Sequence, residues 1–296
     1  MNALLPTAAS VTHVHLLACV NTQLVGRDLA RDAKVRILDA GCGNGALLEH
    51  LALGLAALHP TWNVELHGYD VGDHGVQTAG FFEETIGRLQ QTMPEVDWLD
   101  RLRMISMGDP WPFDAEGFDV VVSNQVLEHV VDHRHFFGEV ERVLVPGGSS
   151  LHLFPLRHYV YEGHLLLPFV HRIRSDDARR QYIAALSRVG LGKFRSHHTS
   201  TGVPLDEFAE RHADYINYWT NYLSEGEMLR VAAGARLRAS FRYTPEFYLQ
   251  KMTALRGNPP LTTYRNDNRG VLDSIAIKAL RYVSSITLTL EKINRY

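Results

Sequence analysis

The feature that most constrains this 296-residue chain is a glycine turn set between an apolar strand and an apolar helix. Residues 35–39 (Val-Arg-Ile-Leu-Asp) read as a buried strand, Ala40-Gly41-Cys42-Gly43-Asn44-Gly45 as a turn, and Ala46–Leu58 as a helix stopped near Pro60. Glycines there permit a sharp turn and let the backbone approach a ligand with no Cβ in the way. The helix that follows offers free N–H groups at its start. The same rhythm recurs downstream. Strands are expected over 64–69, 102–107, 118–123 and 149–154, with helices over 75–92 and 136–144 between them. Pro146-Gly147-Gly148 reads as the turn into the fifth strand. This alternation predicts a doubly wound, Rossmann-like α/β fold with a mostly parallel sheet and right-handed crossovers.

The rhythm breaks after Pro155. Residues 156–200 are rich in His, Arg and aromatic groups and read as an insertion. Residues 205–234 read as helical, with Tyr215, Tyr218, Trp219 and Tyr222 at spacings of three and four. The stretches 237–243 and 285–290 alternate like strands, 257–270 reads as a loop, and a helix is expected near 271–281. An N-terminal helix is expected over 8–31, with Val14, Leu17, Ala18 and Val25 on its apolar stripe. The expected divisions are therefore 1–33 (helical segment), 34–155 (binding core), 156–235 (helical insertion or lid on the acceptor side) and 236–296 (completion of the sheet).

Composition narrows the class. Two cysteines, Cys19 and Cys42, make neither a disulfide framework nor a four-ligand zinc site, so no structural metal is expected. Residues 1–26 carry no Lys, Arg, Asp or Glu, but they lack a basic start and polar residues interrupt the apolar run. No stretch reaches the ~20 apolar residues of a membrane span. A cytoplasmic protein without a membrane span is expected.

Two readings fit the glycine turn. Gly41-x-Gly43-x-x-Ala46 matches a variant of the dinucleotide fingerprint, and Asp70 at the end of the second strand supplies a ribose-binding acid for either reading. Three features separate them. Asp39 precedes the turn, where a carboxylate suits an ammonium and repels a pyrophosphate. Gly108-Asp109-Pro110-Trp111 places an acid and an aromatic plane after the third strand. Ser123-Asn124-Gln125-Val126-Leu127-Glu128-His129-Val130 follows the fourth.

These residues resemble the class I S-adenosylmethionine-dependent methyltransferases of the type 11 kind. Residues 37–45 are similar to that family's first motif, and 118–123 with Leu127-Glu128-His129-Val130 and Arg142-Val143-Leu144-Val145-Pro146-Gly147-Gly148 are similar to later ones. The resemblance spans about residues 34–155. It implies S-adenosyl-L-methionine as cofactor and a seven-stranded sheet closed by an antiparallel pair. By position it also implies roles. Asp39 and the backbone of Gly41, Cys42, Gly43, Asn44 and Gly45 would hold the methionine part. Asp70, with Val71 beside it, would accept both ribose hydroxyls. Gly108, Asp109 and Pro110 would meet the adenine, with Trp111 near the ring. Asn124, Gln125 and His129 would line the floor near the methyl group.

The acceptor side is less marked. His158 and Glu162 are four apart and would share a face on a helix, as a base oriented by a carboxylate. His129 is a second candidate base. The segment 162–169 resembles a lid insertion of methyltransferases acting on sugars and glycans, which implies a hydroxyl acceptor on a small molecule or glycan. An N- or C-methyltransferase of a small metabolite, a non-catalytic S-adenosylmethionine-binding protein and a nicotinamide oxidoreductase are the alternatives.

The formal charge of −3 divides unevenly. Residues 1–156 carry −11, 157–256 carry +5 and 257–296 carry +3. An acidic half suits a cationic cofactor. The basic run of 171–195 (Arg172, Arg174, Arg179, Arg180, Arg188, Lys193, Arg195) suits an anionic or polar acceptor, or else a solvated helix face. Nucleic acid is not expected as a partner, and the oligomeric state is left open.

Overall fold

The computed structural model describes residues 5–293 apart from 28, 31, 74–79, 266–270 and 284. In chain order the elements are α1 (Val11–Val25), β1 (Lys34–Ala40), α2 (Ala46–Leu58), β2 (Asn63–Val71), α3 (Phe81–Thr92), α4 (Trp98–Arg101), β3 (Leu102–Ile105), β4 (Phe118–Asn124), α5 (His133–Val143) and β5 (Leu144–Phe154). Then follow β6 (Tyr161–Glu162), β7 (Leu167–Pro168), α6 (Asp176–Arg188), α7 (Phe194–Thr201), α8 (Leu205–Tyr218), α9 (Glu225–Gly234), β8 (Leu237–Ser240), α10 (Thr244–Leu255), α11 (Val271–Leu280) and β9 (Ile286–Lys292). The main sheet has seven strands in the order β3-β2-β1-β4-β5-β9-β8. Its first five are parallel, and β9 runs antiparallel to both β5 and β8. The expected seven-stranded, doubly wound sheet is therefore the observed one.

The alternation of strand side chains explains the layers. Ile37, Val120 and Leu151 face one core with α1 and α2, through Leu16, Leu48 and Leu51. Leu38 and Val121, the next residues along, face the opposite core with Phe137 and Val140 of α5 and Leu288 of β9. A strand covered on both faces reads as a continuous apolar run, which is why Ile37-Leu38 and Val120-Val121-Val122 were legible. Burying each such side chain contributes about 1.5–3 kcal/mol. A third core lies wholly in the insertion, where Leu165, Leu167 and Val170 pack against Ile183 of α6 and Phe208 and Ile216 of α8.

Several expectations are corrected. The first helix spans Val11–Val25 rather than 8–31, capped by the Ser10 side chain. It is buried nearly all round, while Val25, placed on the apolar stripe, is 49% exposed. Residues 28 and 31 of that expectation, 75–79 of the second helix and 266–270 of the loop lie outside the described residues. The third strand stops at Ile105, because Gly108 (φ +85°) turns the chain. Pro146-Gly147-Gly148 lies within the span of β5. Gly147 (φ +74°) sits where the pairing with β4 slips between Phe118↔Leu144 and Val120↔Ser149. The helical stretch 205–234 is two helices, α8 and α9. Ser224 and Glu227 form a capping box that starts α9 afresh, so Trp219 and Tyr222 lie in the connection. The strand expected over 237–243 ends at Ser240, and α10 follows with Pro245 in its first turn, a helix-start signal the alternating pattern masked.

Candidate functional site

A cavity of ≈ 470 Å³ opens at the carboxyl ends of β1, β2 and β4, where the sheet order passes from β1 to β4. Ligands of open α/β sheets sit at this place. Its walls come from four connections and one visitor from the insertion.

The first wall is the glycine turn. Gly41 (φ +80°) has the left-handed backbone that favours glycine, and a Cβ there would lie 2.6 Å from Val126 Cγ2. The Gly41 and Cys42 N–H groups both donate to the Tyr69 carbonyl at 2.9 Å. Gly41 and Gly43 line the cavity. Asn44 and Gly45 do not: the Asn44 side chain accepts from the Ala46 N–H at 3.1 Å, and Gly45 begins α2 in the left-handed region. Cys42 is buried behind the turn against Gly68, and burial pushes its thiol up.

Asp70 ends the buried part of β2 and lines the cavity beside Val71. Its Oδ2 accepts from the Gly43 N–H at 2.6 Å and its Oδ1 from the Val71 N–H at 2.8 Å. It thereby ties the second strand to the glycine turn. Asp39, one strand over, is 1% exposed, and neither carboxylate oxygen has a hydrogen-bond partner. Burial first, then the nearby Asp70 charge, pushes its carboxyl well above the ordinary range. Asp39 is outside the cavity lining, behind Gly41 and beside Asp70, so two buried, orphaned oxygens lie next to the site rather than on its wall.

The Ser106–Asp109 turn makes the far wall. Asp109 Oδ2 accepts from the Ser106 N–H at 3.0 Å, and the Asp109 carbonyl accepts from His135 at 3.1 Å. Pro110 is outside the lining. Trp111 lines it but is 4% exposed, its ring packed between Tyr69 and Phe136 with centroids 4.8 and 5.1 Å away. Its plane is thus part of the core rather than an open stacking surface.

Asn124 and Gln125 form the floor. Asn124 Nδ2 donates to Thr12 Oγ1 at 3.2 Å, while its buried Oδ1 has no hydrogen-bond partner. Gln125 has φ +58° and donates through Nε2 to Ser285 Oγ at 3.0 Å. His129, at the end of the short 3-10 turn Leu127–His129, lines the cavity and donates from Nδ1 to the Trp219 carbonyl at 2.7 Å. A ring donating from Nδ1 keeps Nε2 as an acceptor when neutral.

The pairing expected of His158 with Glu162 is not formed. The stretch folds as a short hairpin, not a helix, because Leu165 and Leu167 are drawn into the core of the insertion. Glu162 is fully buried and binds His164 Nδ1 at 2.6 Å, the Leu165 N–H at 2.8 Å and the Tyr222 hydroxyl at 2.8 Å. Burial alone would raise its carboxyl, but those three hydrogen bonds hold it down at about 2. His158 packs against Tyr282 and is outside the lining.

Tyr215 of α8 is the insertion's contribution to the cavity wall. The periodic aromatics of 215–222 pointed to this helix, but nothing in their spacing singled out Tyr215. Ser106, Met107, Val131, Asp132 and His135 also line the cavity and carry no sequence signal of it, and Val130 joins them from the motif after the fourth strand. None of the seven basic residues of 171–195 lines the cavity. Arg179 is buried and donates to the Ala213 carbonyl, Arg172 binds backbone carbonyls of Arg157 and Tyr159, Arg180 and Arg188 pair with Asp177 and Asp206, and Lys193 Nζ donates to the Gly163 carbonyl. Among the described residues no group of three or more His, Cys, Asp or Glu could hold a metal, and no helix is long and apolar enough to cross a membrane.

With this geometry in place, comparison with known proteins is informative. Residues 38–151 match the family model of a methyltransferase domain. The chain is 34% identical over 116 residues to the mitochondrial ubiquinone biosynthesis O-methyltransferase of Homo sapiens, covering 39% of this chain and 27% of that protein. It is 24% identical over 196 residues to a sarcosine/dimethylglycine N-methyltransferase of Aphanothece halophytica, covering 66% and 61%. A solved structure of a sarcosine dimethylglycine methyltransferase from Galdieria sulphuraria is similar with a TM-score of 0.47 at 14% identity, covering 97% and 88%. The match spans about a quarter to a half of the length of the ubiquinone-pathway relatives.

Proposed function

We propose, from the premise that this chain carries a class I S-adenosylmethionine-dependent methyltransferase domain, that it methylates a hydroxyl oxygen of a small molecule or glycan. S-adenosyl-L-methionine, the cofactor of this class, supplies an electrophilic methyl group on a sulfonium. Asp39 would hold the ammonium group and the Gly41–Gly43 backbone the methionine part. Asp70 accepts from the ribose hydroxyls, and the turn around Gly108 and Asp109 borders the adenine. The cofactor end is thus acidic and narrow, and the end at His129 and Tyr215 is left for the acceptor.

The oxygen assignment rests on one observation. The cavity wall at the acceptor end carries an imidazole, His129, oriented by its Nδ1 hydrogen bond to the Trp219 carbonyl, and a phenol, Tyr215, which supports proton-transfer chemistry there. Such a wall suits an acceptor that brings an O–H. In-line displacement at a methyl group needs alignment and little else when the acceptor is already nucleophilic, whereas an alcohol gains from a nearby proton acceptor. The O-methyltransferase activity named for the human relative supports the same reading. A second reading, N-methylation of a small amine, draws on the longer match to the Aphanothece halophytica protein. Incubation with methyl-labelled S-adenosylmethionine and a panel of hydroxyl, amine and carbon acceptors separates them. Label on oxygen supports the first reading, and label confined to nitrogen or carbon sinks it.

A further inference from the structure

A hydrogen-bonded chain runs from a buried carboxylate to the cavity wall. Glu162 Oε1 accepts from His164 Nδ1 at 2.6 Å, and His164 Nε2 lies 3.3 Å from the Tyr215 hydroxyl. A carboxylate on Nδ1 fixes the tautomer, so Nε2 accepts and the phenol donates. His164 and Tyr215 rings are 4.8 Å apart, and His129 stands 5.3 Å from His164 and 6.0 Å from Tyr215. This order, anion to imidazole to hydroxyl, is that of hydrolase triads, where the buried acid stabilises the imidazolium that forms.

We propose that Tyr215, His164 and Glu162 form the relay that receives the acceptor's proton during methyl transfer. The inference rests on the hydroxyl reading above. In the step, the acceptor O–H bond breaks as the O–CH₃ bond forms, and the S–CH₃ electron pair returns to sulfur. The acceptor's proton passes to the Tyr215 oxygen while the phenol's own proton passes to His164 Nε2. The resulting imidazolium lies against the Glu162 carboxylate. His129 is the weaker candidate, because its Nδ1 hydrogen meets a neutral carbonyl rather than an anion. Burial, then the nearby Glu128 and Glu162, pushes the Tyr215 phenol up to about 12, so it conducts a proton rather than ionising alone. The charged and titratable groups facing the relay are Glu128 and His129 from the Leu127–His129 turn, Tyr159 before β6, His212 of α8, Lys193 before α7 and Tyr222 after α8. Of the three relay residues Tyr215 is the one that lines the cavity, and His164 and Glu162 are positioning residues.

The test uses two phenol probes at pH 8: 4-methoxyphenol, which must lose a proton, and 4-nitrophenol, which is already largely ionised. Calorimetric binding of S-adenosylhomocysteine checks that each variant is folded. Tyr215→Phe and His164→Gln are expected to lower the ratio of kcat/KM for 4-methoxyphenol over 4-nitrophenol by about 100-fold, the low end of what general base catalysis contributes. Glu162→Gln should lower it in the same sense, and Glu162→Asp should restore part of it. A ratio unchanged in Tyr215→Phe but lowered in His129→Gln overturns the relay in favour of His129. A uniform loss on both probes marks a structural role and also overturns it. Methylation of neither probe by the wild-type chain, with amines methylated instead, overturns the hydroxyl reading itself.

Discussion

Glu128 makes a sharp prediction about stability. It is 2% exposed, its Oε2 has no hydrogen-bond partner, and it lies beside the Glu162 anion. Burial chiefly, with Glu162 adding, pushes its carboxyl up to about 8 from an ordinary 4.5. An acid whose folded pKa is raised binds more protons folded than unfolded. Its burial is therefore free of charge cost below pH 4.5, and stability falls as pH rises from 4.5 to about 8. At about 1.36 kcal/mol per pH unit, the loss between pH 5 and pH 8 is about 3–4 kcal/mol. Glu128→Gln keeps the shape and removes the titration. Urea unfolding of the wild-type and Glu128→Gln chains at pH 5, 6, 7 and 8 reads the difference between them, which cancels every other titrating group. The variant should gain on the wild type by about 3–4 kcal/mol across that range. Parallel pH profiles would refute the reasoning and imply that Glu128 is solvated or paired.

Three further outcomes are expected. Gly41→Ala meets both a left-handed backbone and a Cβ 2.6 Å from Val126, so thermal unfolding should show a loss of about 2–5 kcal/mol, and an unshifted Tm contradicts the turn geometry. Burial, then Asp70, raises the Asp39 carboxyl, and an ammonium group would draw it down. Binding of S-adenosylhomocysteine should then release protons, read by calorimetry in buffers of different ionisation enthalpy, and proton uptake on binding contradicts it. Arg180→Gln and Arg188→Gln, which alter exposed ion pairs outside the cavity, should leave the acceptor KM within about two-fold, and a large rise would return the basic run to the substrate side.

What was legible in the sequence was what local chemistry enforces. Buried parallel strands are apolar on both faces, so Ile37-Leu38 and Val120-Val121-Val122 declare themselves. The glycine turn declares itself because Gly41 tolerates no side chain against Val126. Asp70 is legible as the acid that a glycine-turn fingerprint needs at the end of the second strand, and its bond to the Gly43 N–H is the physical tie between the two. The acceptor side was illegible because tertiary packing decides it. Four-residue spacing suggested a His158–Glu162 helix pair, but the apolar Leu165 and Leu167 pull the segment into a hairpin, and Glu162 turns to His164 two residues on. Tyr215 meets His164 of that hairpin from 51 residues further along the chain, through the packing of α8 on α6, and no period in its own helix reports this. The basic run looks like a ligand surface by count, yet Arg172, Arg179, Arg180, Arg188 and Lys193 bind the protein's own carbonyls and carboxylates, and none of the run lines the cavity.

The central claim is that the cavity at the glycine turn binds an S-adenosyl cofactor through Asp70 and the acids around it. Calorimetric titration of the chain with S-adenosylhomocysteine and, separately, with NAD tests this most directly, with Asp70→Asn as the paired variant. The account predicts saturable binding of S-adenosylhomocysteine, weakened about 10–100-fold in the variant by loss of charged hydrogen bonds, and no comparable binding of NAD. Tighter binding of NAD, or an S-adenosylhomocysteine affinity unchanged by Asp70→Asn, would contradict it.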